Sequence, residues 1–74
     1  MKHTEFWSCV ERAFAPGLGE SIVQDVALPQ LELQTAQEAL DHHVPPQLVW
    51  NALCEEMDLP ERYKFLHKIS PKDL

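Results

Sequence analysis

Residues 45–57 read Pro45-Pro46-Gln47-Leu48-Val49-Trp50-Asn51-Ala52-Leu53-Cys54-Glu55-Glu56-Met57, and this stretch decides the fold. A proline at the first helical position lacks only an amide that would be unpaired anyway, so Pro46 opens a helix that runs to about Met57. Leu48, Val49, Trp50, Ala52, Leu53, Cys54 and Met57 cover well over half of its circumference. Gln47, Asn51 and Glu55, spaced four apart, leave a single polar stripe. A helix this apolar packs on more than one side, so it is expected to be the central helix, with Trp50 in the core.

Upstream, Thr35-Ala36-Gln37-Glu38 is a capping-box pattern. The threonine side chain accepts from the third helical amide and Glu38 reaches back to the amide of Thr35. A short helix follows with Ala36, Ala39 and Leu40 inward. It ends near His43, because Val44 precedes a proline and avoids helical torsions. The prolines at 16, 29 and 60 cut the rest of the chain into lengths of about one helix each. The first is expected from Thr4, as N-cap, to about Ala15, with Phe6, Val10, Ala13 and Phe14 at helical spacing and Pro16-Gly17 as its stop. The second runs from Leu18 to Leu28 with Leu18, Ile22 and Val26 inward. Pro29 to Gln34 reads as a turn with Leu31 and Leu33 tucked in. The last starts around Asp58-Leu59-Pro60-Glu61. It places Leu59, Tyr63, Leu66 and Ile69 on one face and leaves Arg62, Lys64, His67 and Lys68 in water. No strand alternation and no internal repeat is visible. The expected architecture is all-α: a compact bundle of four to five short helices, one domain over residues 1–69, and a frayed tail at 70–74 after Ser70-Pro71.

The 74 residues carry a formal charge of −6. From Glu5 to Glu61 there are eleven acidic residues and one basic, Arg12, whereas Arg62 to Lys72 holds four basic residues and no acidic one. The body is acidic and its C-terminal segment basic. Such a body favours basic partners and repels phosphate backbones. No apolar run approaches the roughly 20 residues of a membrane helix, and the first residues lack the apolar stretch expected of a signal peptide. The expected setting is the cytoplasm, with Cys9 and Cys54 reduced.

Residues 35–57 also have helix-turn-helix spacing. Ala39 is the small residue in the first helix, His43 stands at the tight turn where glycine is common, Val44 is the buried turn residue, and Val49 follows ten positions after the alanine. A DNA-reading version would offer Gln47 and Asn51 to adenine edges, with Arg62, Lys64 and Lys68 supplying charge. No lysine or arginine lies on the second helix itself, and Glu55 and Glu56 repel phosphates, so nucleic acid is the alternative and not the leading reading. Adjacent His42 and His43 point in different directions and cannot chelate one ion well. No Cys-x-x-Cys or His-Glu-x-x-His spacing occurs, and no metal or cofactor is expected. Cys54 with His43 as a nucleophilic pair would lack an orienting third group, and two glycines make no phosphate-cradling loop, so the chain is read as a non-enzyme. Its surface candidates are Trp7, near one end of the chain, and Glu55 and Glu56. Together they suggest docking of another protein, basic in character.

Thr4-Glu5-Phe6-Trp7, Glu11, Phe14, Asp25 to Leu28, Thr35-x-x-Glu38-Ala39-Leu40, Val49-Trp50-x-Ala52-Leu53-Cys54 and Asp58-Leu59-Pro60 occur in an order and spacing that resembles an uncharacterised family of short actinobacterial proteins, classed as a domain of unknown function. The resemblance covers roughly residues 1 to 62. It implies a cytoplasmic protein encoded near the bacterial recombinase and its regulator, and it brings no catalytic residues. This chain departs from the family pattern where Glu32, Leu33 and His43 stand in place of glycine. It departs again where Gln34 and Asn51 stand in place of basic residues.

Overall fold

A computed structural model describes residues 1–69, which are mainly helical. Helix α1 spans His3–Ala13, α2 Leu18–Asp25, α3 Ala36–Asp41 and α4 Pro46–Glu56. Between α2 and α3 lie strand β1, Ala27–Leu28, a 3-10 turn, Pro29–Leu31, and strand β2, Gln34–Thr35. The chain then closes with a 3-10 segment, Glu61–Lys68, bent at Phe65. The tail expected at 70–74 lies outside the described residues.

Helix α4 is central, as its composition predicts. Val49, Trp50, Leu53 and Cys54 have no solvent exposure, and α4 packs against α1, α3, β1 and both 3-10 pieces. One hydrophobic cluster gathers Phe6, Cys9 and Val10 of α1, Ile22 and Val23 of α2, Leu28 of β1, Ala36, Ala39 and Leu40 of α3, and Leu66. The ring of Phe6 meets Trp50 edge-on at 6.0 Å, and Phe14 meets it from another side at 6.5 Å. Full burial of side chains this large contributes roughly 1.5–3 kcal/mol each, so the aromatic centre dominates cohesion.

The capping box forms as the sequence predicts: Glu38 N–H donates to Thr35 Oγ1 at 3.1 Å, and Thr35 N–H to Glu38 Oε1 at 2.9 Å. The ends of α3 and α4 share one device. His43 N–H donates to Leu40 O and Val44 N–H to Ala39 O. Asp58 N–H donates to Glu55 O and Leu59 N–H to Cys54 O. Both are Schellman caps, and each puts a non-glycine residue in the left-handed region: His43 at φ 67° and Asp58 at φ 54°.

Several expectations are corrected. Lys2, not Thr4, is the N-cap of α1, because the Glu5 carboxylate already takes the Lys2 amide at 2.7 Å and the cap falls two residues earlier. Helix α2 stops at Asp25 instead of Leu28. Ala27 pairs with Thr35 and Leu28 with Gln34 in a two-residue antiparallel ladder that delivers Leu28 to the core. No strand was expected, since two residues are too few to show alternation. Leu18 and Leu33 are exposed, not inward, and Leu48 of α4 is exposed as well. Leu33 is turned outward by its left-handed backbone, φ 65°, while its amide returns to Leu28 O.

The last segment is 3-10, not α-helical. Three of its carbonyls take side-chain donors from the body: Tyr63 O from Trp50, Lys64 O from Gln47 and Leu66 O from Arg12. Lys64 and His67, placed in water from the sequence, are partly buried by this docking.

Candidate functional site

The docked segment absorbs most of the residues expected to face DNA. Gln47 is not part of an exposed stripe. Its Nε2 donates to Lys64 O and to Asn51 Oδ1, both at 2.9 Å, under the cover of the segment. Lys64 Nζ sits 3.1 Å from Glu55 Oε1 and 3.3 Å from Glu61 Oε2. Those two carboxylates, Glu55 foremost, hold the ammonium more firmly protonated than usual. The structure therefore brings Gln47, Asn51, Glu55 and Lys64 together as a structural clasp. Arg62, Lys68 and Glu56 are exposed.

Trp7 stands apart from this clasp, on α1. Its ring meets Phe6 edge-on at 5.5 Å, and it is partly buried against the core. Trp7, Val10, Glu11 and Phe14 lie three, four and seven apart, so one face of α1 carries all of them. That face is one wall of a cavity of about 320 Å3. Ala15, Pro16 and Gly17 close its end, and Gly19 and Glu20 of α2 form the other wall.

Both glycines of the chain line this cavity, and each has a physical reason to be glycine. Gly17 adopts φ 84° as the N-cap of α2. At Gly19 a β-carbon would come within 2.5 Å of Val10 Cγ1, so α1 and α2 approach closely only because that side chain is missing. Read from the sequence, Pro16-Gly17 is a helix stop and Gly19 lies inside the next helix, so a cavity between the two is not visible there. Its signal was the pair of glycines following a Trp7, Glu11, Phe14 stripe.

The cavity is apolar and aromatic inside and carries two carboxylates, Glu11 and Glu20, both solvent-exposed. Among the described residues neither forms an ion pair. Arg12, the basic residue next in sequence, turns away and donates to Leu66 O at 2.6 Å.

Both thiols are fully buried. Burial, with Cys9 nearby as a second cause, pushes the Cys54 thiol up to about 12, and burial raises Cys9 as well. At neutral pH Cys54 is a protonated, inaccessible core residue. Among the described residues no group of three or more His, Cys, Asp or Glu side chains could hold a metal ion. In the same residues no helix is long and apolar enough to cross a membrane.

A family model described as "Protein of unknown function (DUF3046)" matches residues 1–62, the span from α1 to the start of the 3-10 segment. No curated protein and no solved structure matches the chain.

Proposed function

Because the chain belongs to the DUF3046 family, whose function is not established, we propose from its surface that it is a non-enzymatic module that docks a basic protein. The observation that carries this reading is the Trp7 wall: an aromatic residue kept partly open to solvent, beside carboxylates that no cation of the described chain neutralises. Tryptophan is among the residues most enriched at binding hot spots, and a net charge of −6 steers basic partners toward the surface. The buried, protonated Cys54 supports the non-enzymatic side of the reading, since a thiol nucleophile must be accessible and ionised. The resemblance implies a gene near the recombinase, and that supports reading such a module as a cytoplasmic regulator.

The alternative, a helix-turn-helix that binds DNA, draws support from the tight α3–α4 turn with Ala39 and Val49 buried. Against it, Gln47 and Lys64 are spent within the chain. Retarded duplex migration at about 50 mM salt, weakening as salt rises, would favour the DNA reading.

The test is in-cell photo-cross-linking from a benzoylphenylalanine placed at Trp7, with a second probe at Glu56. A protein captured repeatedly from one of these positions through a basic surface is the expected result. Failure of both probes to yield a reproducible partner would overturn the reading.

A further inference from the structure

We infer that the cavity between α1 and α2 is a receptor for a single cationic side chain, arginine or lysine, projecting from a basic segment of a partner protein. The inference rests on the docking role proposed above and names the site and the chemistry of what enters it.

Four observations converge on that occupant. The first is size. At about 320 Å3 the cavity stands at the lower end of the roughly 300–1,000 Å3 typical of ligand pockets, room for a side chain more than for a nucleotide-sized cofactor. The second is lining. Trp7 and Phe14 present ring surface, and Val10, Ala15 and Pro16 present aliphatic surface, which suits the methylene stem of arginine or lysine. The third is charge. Glu11 comes from α1 and Glu20 from α2, so the lining offers a cation one carboxylate from each helix together with the aromatic residues Trp7 and Phe14. No basic residue lines the cavity, and an anionic or phosphate ligand would meet repulsion from both carboxylates. The fourth is backbone. Gly17 and Gly19 add no side chain to the lining; a β-carbon at Gly17 would meet nothing within 4 Å, and Gly19 lets α2 pack directly on Val10, so the cavity has both helices as its walls.

The tryptophans make the test specific. Trp7 lines the cavity, whereas the Trp50 indole N–H is committed to Tyr63 O at 2.7 Å inside the core. Their two indole resonances therefore act as reporter and internal control. The experiment titrates the full chain, labelled with nitrogen-15, with a blocked pentapeptide bearing one arginine between glycines. Parallel titrations use the lysine peptide and the citrulline peptide, citrulline being arginine's neutral isostere.

The expected result is saturable movement of the Trp7 indole and of the Gly17 and Gly19 amides, with a still Trp50 indole and a Kd on the order of 1 mM. Citrulline should bind at least about tenfold more weakly. Glu11→Gln with Glu20→Gln, both at exposed positions, should weaken arginine binding by about tenfold and remove most of its dependence on salt. Unchanged dispersion of the amide spectrum confirms that the double variant is folded. Each single substitution serves where it is not.

Equal binding of arginine and citrulline peptides overturns the inference, as does the absence of saturable movement up to about 10 mM, beyond the expected Kd. Shifts that map to the face of Glu55 and Glu56 overturn the cavity as the site while leaving a basic partner in place. Saturable binding in the cavity, set against in-cell cross-linking that yields no protein, keeps the site and removes the docking role.

Discussion

At the scale of single residues, the backbone torsions give a physical reason for the glycines that the family resemblance implies at three positions of this chain. Glu32, Leu33, His43 and Asp58 are the described non-glycine residues with positive φ, and the first three stand where the resemblance places glycine. A side chain in the left-handed region costs roughly 1–2 kcal/mol, and glycine gives back part of that through its greater freedom when unfolded. His43 is exposed, and its backbone does the capping, so its side chain holds nothing that a substitution would lose. His43→Gly is expected to stabilise by about 0.5–1 kcal/mol, which thermal unfolding would read as a rise of roughly 4 °C. Gly19 is the opposite case. Alanine favours a helix by about 1 kcal/mol over glycine, but here its β-carbon strikes the stiff, buried Val10. Overpacking costs about 1–3 kcal/mol, so Gly19→Ala should lower stability by about 1 kcal/mol. Val10→Ala in the same chain should relieve the clash, giving a favourable coupling in a double-mutant cycle; additive losses would show that the two helices do not meet there.

At the scale of elements, legibility followed the number of residues that carry each signal. The centre of α4 was readable because eleven residues repeat one apolar pattern, and α3 because a capping box is local chemistry. The ladder of β1 and β2 was not, since its pairing joins residues six and eight apart and has no periodicity of its own. The C-terminal segment was readable as an amphipathic element, with Leu66 fully buried, but its 3-10 form and its docking were not. Those depend on donors 13 to 54 positions away in sequence, which no local pattern announces. The cavity at α1 and α2 escaped for the same reason, being made by two elements that meet at a glycine. Arg12 gives the docking a direct test. A hydrogen bond from a charged donor to a partly buried carbonyl is worth about 1.5–3 kcal/mol. Arg12→Met keeps the stem but removes the donor to Leu66 O. Amide exchange over residues 61–69 should accelerate by roughly thirtyfold, the equivalent of about 2 kcal/mol, with α2 and α3 little changed. Uniform acceleration across the chain would mean that the segment has no separate opening and unfolds only with the core.

At the scale of the whole molecule, acid acts through two opposing effects, and the fold says how to separate them. The chain carries −6 at neutral pH, and proton uptake on acidification brings that charge toward zero, which relaxes self-repulsion and raises stability. His67 works against this. Burial in the docked segment lowers its pKa below the ordinary 6.5, so on acidification the unfolded chain takes up a proton that the folded chain resists. Where the unfolded state binds more protons, stability rises with pH; the His67 contribution is therefore whole above about 6.5 and lost as pH falls below it. Glu5 adds a separate loss. Its carboxylate, held below 4.5 chiefly by the Lys2 amide, stabilises the folded chain above 4.5 and ceases to do so as pH falls through its lowered value. Salt divides the terms, because about 1 M screens repulsion between exposed charges beyond roughly 3 Å and touches a buried histidine far less. In high salt the melting temperature should fall as pH drops from 7 to 5.5, and His67→Gln should flatten that slope, whereas Glu5→Gln, which removes a carboxylate that raises the His67 pKa, should keep or steepen it and blunt the loss below 4.5. A His67→Gln profile that keeps the wild-type slope in that window would place the proton-linked group elsewhere and would mean that His67 stays in water even when the segment is docked.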